Sequence, residues 1–357
     1  MGTRYRSKRL LHTYGIGVPV VALSWLGRQG TRAVAALVVI GIAVPPIGAL
    51  LKPFVTEAIF ALLCVAFLRV DPAALRGCLE RPAIVIAATA WTTAVIPAVF
   101  GASYLVLGLQ DRSPDLFLAL VLQAVASPMM AAPALAALMG LDSTLVLVTL
   151  ITSTAVIPFS APVITYAFIG DGLTLSPVAL GLRLLAILAG SAIVGTAVRR
   201  FAGPVAIERH ADGINGVNIL VLFVFVAAVM ESVAARVLAA PVLTAGLAAL
   251  AFLVYFAVLG VTSLLFARAG RERAFVLGLM ASQRNMGLML AATGGALPDL
   301  TWLYFALSQF PIYLSPQLLR PLARRLVSPS RIAPRPRGPL DSGGEKREGS
   351  ASCSDVR

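Results

Sequence analysis

The sequence predicts an all-α membrane protein of ten transmembrane helices, arranged as two five-helix halves of opposite orientation. Three observations lead there. Hydrophobic residues make up 59% of the 357-residue chain and charged residues 13%, with a mean hydropathy of +0.89. Soluble domains carry about 25% charge, so the chain lacks the polar surface to coat a water-soluble body of this size. Apolar runs near the roughly 20 residues that a bilayer core requires recur along the chain. Arg and Lys gather at alternate ends of those runs. Soluble enzymes, nucleic-acid binders and secreted disulfide scaffolds are excluded on these grounds.

Residues 1–32 read as a cytoplasmic N-terminal segment, with Arg4, Arg6, Lys8 and Arg9 ahead of a short apolar stretch at 15–26. That pattern approaches a signal peptide, but Gly27-Arg28 offers no small-residue cleavage site, so an interfacial or loosely packed segment is expected. The first five spans are expected at 33–51, 54–70, 82–109, 116–139 and 144–169. A short polar link at 170–175 leads to five more at 177–198, 214–237, 242–267, 274–296 and 302–326. The two repeats are therefore bounded as 33–169 and 176–327. Residues 328–357, rich in Pro, Gly, Ser and charge, are expected to be a disordered cytoplasmic tail.

The basic residues test this division independently. The connections after spans two, six and eight hold Arg69, Arg76, Arg81, Arg199, Arg200, Arg209, Arg268, Arg271 and Arg273, and only Lys52, Arg112 and Arg236 fall on the opposite side. Both termini are therefore expected in the cytoplasm, which requires an even number of spans. The net charge of +13 reads as topology signal and not as a nucleic-acid footprint. Cys64, Cys78 and Cys353 are odd in number and imply no disulfide framework. His12 and His210 have no metal-ligand companions, and no phosphate-binding loop, zinc spacing or nucleophile elbow occurs. Primary pumping and intramembrane hydrolysis are without support.

Five spans per half means that the second half enters the membrane from the other side, the inverted-repeat arrangement of secondary transporters. Such folds bind substrate where helices break near the midplane, so interruptions at matching positions are the informative feature. Span four contains Ser127-Pro128-Met129-Met130-Ala131-Ala132-Pro133, whose prolines release backbone groups. Span nine contains Ser282-Gln283-Arg284-Asn285-Met286-Gly287, a polar cluster inside an apolar run. Each break lies in the fourth span of its half. An ordinary proline kink accounts equally well for span four taken alone. Arg284 is harder to set aside: a central Arg costs at least ~2.5–3.5 kcal/mol on insertion, so it must face protein or a water-filled cavity. It is assigned to the substrate path, with a structural ion pair as the alternative.

These residues resemble the bile acid:sodium symporter family. The resemblance runs from Ala33 to Leu326 and is carried by FLRVDPAALRGCLERPAIVIAATAWTTAVIPA (67–98), SPMMAAPALAALMGLDSTLVLVTLITSTAVIPFSAPVIT (127–165) and SQRNMGL (282–288), the last being the most specific. It implies a panel domain of spans one, two, six and seven and a core domain of the others. Spans four and nine cross at unwound centres in the core, and an organic anion is carried by alternating access. Sodium-coupled relatives hold two cations with polar residues of spans three, four, five and nine. Here the corresponding positions are Thr92, Pro133, Ala134, Met280 and Arg284, with Thr149 and Thr152 remaining on span five. Hard cations want several oxygens, including a carboxylate. A guanidinium ~4 Å away would instead repel a cation by about 4 kcal/mol at an effective dielectric of 20.

The expectation is therefore a carrier of an amphipathic organic anion with sodium coupling disfavoured, no cofactor, and the lipid bilayer and a small anion as its partners. It is expected to act as a monomer in a bacterial inner membrane. Arg284 supplies the positive charge, Gln283 and Asn285 orient the anionic head, and Thr92 and Ser127 complete the polar wall. Thr149 and Thr152 are ion-coupling candidates, although bonds to their own helix carbonyls are the simpler reading. Glu57 and Glu231, near the outer ends of panel spans, are read as snorkelling or paired groups, Arg183 being one possible partner; the sharper alternative is proton coupling. A non-transporting sensor or scaffold that keeps the fold is the second function class. A lipid enzyme is the third, with only scattered Asp71, Glu80, Glu208, Asp212 and Glu272 to support it.

Overall fold

A computed structural model describes residues 17–29, 44–70, 82–172, 175–231, 233–295 and 297–326, with isolated positions 36 and 40. Among these residues every named element is helical and no strand occurs. The helices are α1 (Gly17–Gln29), α2 (Pro45–Leu51), α3 (Val55–Leu68), α4 (Pro82–Ala90), α5 (Ile96–Val106), α6 (Leu109–Arg112), α7 (Pro114–Val125), α8 (Ala132–Leu138) and α9 (Ser143–Ile169). They continue as α10 (Pro177–Ala202), α11 (Pro204–Arg209), α12 (Ala211–Met230), α13 (Val233–Ala239), α14 (Pro241–Leu265), α15 (Arg271–Ser282), α16 (Met286–Ala292) and α17 (Asp299–Leu326).

Among the described residues, six helical runs are long and apolar enough to cross a membrane: Pro46–Leu68, Pro82–Val106, Ser143–Ile169, Pro177–Ala202, Ala211–Ala239 and Pro241–Leu265. The protein is an all-α integral membrane protein. The difference from ten expected spans has identifiable sources. Spans four and nine are each divided, into α7 and α8 and into α15 and α16. Span ten is the continuous 28-residue α17, but Asp299, Ser308, Gln309, Ser315, Gln317 and Arg320 make it less apolar than the six runs. Most of span one falls outside the described residues. Its end, α2, runs on into α3 through a single 3₁₀ turn at Lys52–Phe54, so no loop separates spans one and two there. The expected tail at 328–357 and residues 1–16 also lie outside the described residues.

Local chemistry sets the ends of the long helices. Asp142 Oδ1 accepts from the Thr144 and Leu145 N–H groups at 3.1 and 3.2 Å, capping α9. Ser176 caps α10 through a 3.2 Å bond from the Ala179 N–H, with Pro177 at the first helical position.

Close packing then fixes the neighbours of the site. α10 lies on α3 at Gly195, where a Cβ would stand 2.7 Å from the Cys64 carbonyl oxygen. α1 lies against α12 with Gly27 opposite Asp212 and Leu23 opposite Gly216, so the two helices run antiparallel at near backbone contact. The described part of the segment expected to be interfacial or loosely packed is thus in close contact with α12. The stretch lacks a strong amphipathic pattern, and it is the glycine on α12 that admits it.

Charge is sorted by end. At the start of α12, Arg28 pairs with Asp212 at 2.9 Å and Arg69 donates to Asn215 Oδ1 at 2.6 Å. Beyond its other end, Lys52 pairs with Glu231 at 3.1 Å and Arg236 with Asp299 at 2.6 Å.

Candidate functional site

The two divided spans meet. α7 stops at Val125 because Pro128 has no N–H to continue the ladder and disfavours helical backbone just before it. The chain leaves α7 in extended conformation at Ala126, turns at Met130 and Ala131, and enters α8, where Pro133 is tolerated in the first turn. The second break has no proline. Gln283 adopts an extended conformation, and Asn285 restarts the helix as an N-cap, its Oδ1 accepting from the Leu288 N–H at 3.0 Å. The freed backbone groups satisfy one another. The Met129 N–H donates to the Gln283 carbonyl and the Asn285 N–H to the Ser127 carbonyl, both at 2.7 Å. Together they form an antiparallel bridge between Pro128 and Arg284.

Arg284 is therefore held by its own backbone at the crossing, with 3% of its surface exposed. Its Nη1 donates to the Ala126 carbonyl at 2.8 Å and to the Thr92 carbonyl at 3.3 Å. Both acceptors are available because their helices are interrupted. Ala126 follows the last residue of α7, where the helix dipole is negative. Thr92 lies in a π-helical segment, Trp91–Val95, joining α4 to α5. Such bulges recur at functional sites. Pro97 removes the N–H that would have served the Thr93 carbonyl, which was the available sign of this irregularity.

Two of the three guanidinium nitrogens remain unused. Nε and Nη2 are buried with no hydrogen-bond partner, and among the described residues no carboxylate pairs with Arg284. An Arg is always charged and presents its donors as a rigid planar fork, so this arrangement favours an anionic or strongly polar guest. The side chain lies in the wall of two spaces. The smaller, about 10 Å³ and enough for one water, is bounded by Tyr104, Gln123, Tyr255 and Ser282. The larger, about 470 Å³, lies between the broken spans and helices α3, α12 and α17, within the usual size range for small-molecule pockets. Its polar lining is Arg69, Asn218, Arg284, Asn285, Gln309 and Tyr313, and the remainder is aliphatic, aromatic or Met.

The residues expected to act with Arg284 divide. Asn285 lines the larger cavity. Thr92 and Ser127 are buried beside the crossing with hydroxyls that lack partners, yet neither lines the cavity. Gln283 turns away: its Nε2 donates to Ser315 Oγ at 3.3 Å on α17.

Thr149 donates to the Leu145 carbonyl at 2.9 Å. Thr152 donates to the Val148 carbonyl at 3.0 Å and shares a 2.7 Å bond with Thr89. Ser153 and Thr154, by contrast, have no partner. Glu57 is exposed in the first turn of α3. Glu231 is held by Lys52 and not by Arg183, whose Nη1 reaches the Ala292 carbonyl at 3.5 Å. Glu231 is thus a paired group, as the simpler reading had it, and the alternative of a counter-ion to Arg183 is not met, because α2 and its turn bring Lys52 to the end of α12. Arg69, Asn218, Gln309 and Tyr313 were not singled out from sequence. Asn215 and Asn218 fall one helical turn apart, which is the sign that a polar face begins there.

No protein-family model matches this chain, and none of the curated proteins does.

Proposed function

We propose that this protein is a secondary transporter that moves an amphipathic organic anion across the membrane by alternating access, without sodium coupling. One observation carries the reading: a buried, carboxylate-free guanidinium with unused donors, in the wall of a cavity of about 470 Å³ where two broken helices meet. Broken helices at a contact point are the common device of membrane carriers for exposing backbone and charge to a ligand. In this reading the chain has the bile acid:sodium symporter architecture of two inverted five-helix repeats. α2, α3, α10 and α12 belong to a panel, and the helices carrying the crossing belong to a core near the bilayer midplane. Both termini lie in the cytoplasm of a bacterium, and the carrier works as a monomer.

Arg284 takes the anionic head, Asn285 orients it, and the apolar wall accepts the body. Rocking the core against the panel would open the same cavity to either side. The charge that relatives obtain from bound sodium is here part of the polypeptide. Met280, fully buried on α15, offers no oxygen in place of a carboxylate.

Purified protein should therefore be stabilised against heat by cholate or dodecanoate equally in sodium and in sodium-free potassium buffer, and proteoliposomes should show saturable uptake in both. Stabilisation that appears only with sodium overturns the mechanism. Binding without flux makes the protein a sensor that keeps the fold. Glu231→Gln and Glu57→Gln should leave the pH profile of initial uptake unchanged, since neither lines the cavity. A displaced profile in either variant would assign that carboxylate to proton coupling.

A further inference from the structure

The cavity lined by Arg284 is also lined by a second, more exposed arginine. Arg69 caps the C-terminal end of α3 and lines the same space. Its bond to Asn215 Oδ1, 2.6 Å long, is to a neutral amide, and among the described residues no carboxylate pairs with it. Two guanidinium-bearing residues thus line one cavity with no carboxylate ion pair to either among the described residues.

The two charges are at opposite ends. On α12, Phe225 packs beside Gly287, three residues from Arg284, whereas Asn215 meets Arg69. Ten residues of helix separate these two contacts, about 15 Å at the helical rise. The wall between them is apolar: Ile59, Leu62 and Leu63 on α3, with Leu222 and Phe225 on α12. Asn218 is the polar lining residue of α12, one turn from Asn215 and so at the Arg69 end.

The geometry points to a two-anchor site that selects an elongated dianion, a molecule with carboxylate or sulfonate groups at both ends of an apolar body. This deepens the anion-carrier reading and rests on it. A monoanion engages one fork and leaves the other facing a cavity filled by hydrocarbon. A dianion of sufficient length engages both, each through a charge-assisted bond. A dianion too short to span the apolar stretch gains nothing from its second charge.

The test compares dodecanoate, dodecanedioate and suberate as ligands of the purified full-length protein, by calorimetric titration below micellar concentrations. A nonselective apolar pocket prefers the monoacid, whose far end is a methyl group. The expected result is the reverse: dodecanedioate binds about tenfold more tightly than dodecanoate, the scale of one additional charged hydrogen bond, and suberate binds weakly. In Arg69→Gln the preference for the diacid is lost and dodecanoate binds at least as tightly, and Arg69→Lys restores part of the preference. Equal or weaker binding of the diacid to the unmodified protein overturns the inference, as does a preference that survives Arg69→Gln. If either occurs while Arg284→Gln abolishes dodecanoate binding, the anion-carrier reading still stands. Dodecanoate binding that is indifferent to Arg284→Gln removes that reading itself.

Discussion

Arg284→Gln should abolish the thermal stabilisation of the protein by cholate or dodecanoate and weaken their binding by about 100-fold or more, the loss expected when one member of a desolvated charge pair is removed. The expectation follows from the two unused nitrogens of the side chain. Nη1 is spent on the Ala126 and Thr92 carbonyls, while Nε and Nη2 have no acceptor in the protein. Those are the donors an anion would complete. The ligand-free protein should remain folded, because two effects of the substitution oppose each other. The two carbonyls lose a donor, at a cost of roughly 1–3 kcal/mol. A buried cation without a counter-charge also disappears, which relieves a desolvation penalty of several kcal/mol. Arg284→Lys separates charge from shape. It keeps the positive charge but loses the planar fork, so it should bind anions with intermediate affinity. If the Gln variant binds as tightly as the unmodified protein, the guanidinium is a brace for the crossing and nothing more. Isothermal titration of both variants, with melting curves as the control for folding, decides between these outcomes.

Ala66→Trp should reduce uptake and binding by more than tenfold with little change in the melting temperature. Ala66 lines the larger cavity from α3, facing the broken spans. An indole there occupies space that is open in the protein, so it avoids the strain that overpacking a filled core would cause. It stands in the path of the ligand's apolar body while leaving Arg284 and its bonds untouched. The pairing of these two variants is informative. Loss of binding in both assigns the head group to Arg284 and the body to the space beside α3. Loss in Arg284→Gln alone would keep the head group at Arg284 and take the apolar body away from the space beside α3.

Part of the site was legible in the residues themselves. Gln283, Arg284 and Asn285 are locally incompatible with lipid, so the interruption of span nine could be placed before any packing was known; Pro128 and Pro133 fit a break or a kink equally well, since Pro158, Pro162, Pro311, Pro316 and Pro321 stand inside continuous helices. The buried state of Arg284 followed for the same reason: a charge inside an apolar run has to be sheltered. The direction of its donors did not follow. Its acceptors lie 158 and 192 residues away in the chain, and nothing near SQRNMGL in sequence encodes where the ends of α7 and the Trp91–Val95 segment will stand. Gln283 illustrates the same gap. Adjacent to Arg284, it was expected to share its task, but extended backbone sends successive side chains to opposite faces, and Gln283 meets Ser315 on α17.

Arg69 shows the complementary case. By position it is a basic residue flanking a span, which is sufficient to set orientation in the membrane and invited no further role. Its place in the cavity depends on α12 crossing α3 so that Asn215 meets its side chain. Glu231 likewise has an acidic character visible from sequence and a partner, Lys52, that only the turn at Lys52–Phe54 supplies.

The amino-acid order alone determined that this chain lives in a bilayer, where span nine breaks, and which side chain carries a charge into the interior. All three depend on the free energy of transferring individual residues or short runs out of water, a local quantity. Only the tertiary structure decided which carbonyls hold that charge, which of its donors are left without a partner, and that a second arginine lines the same cavity. Those depend on distances between helices remote in sequence, set by close contacts such as those at Gly195 and Gly216.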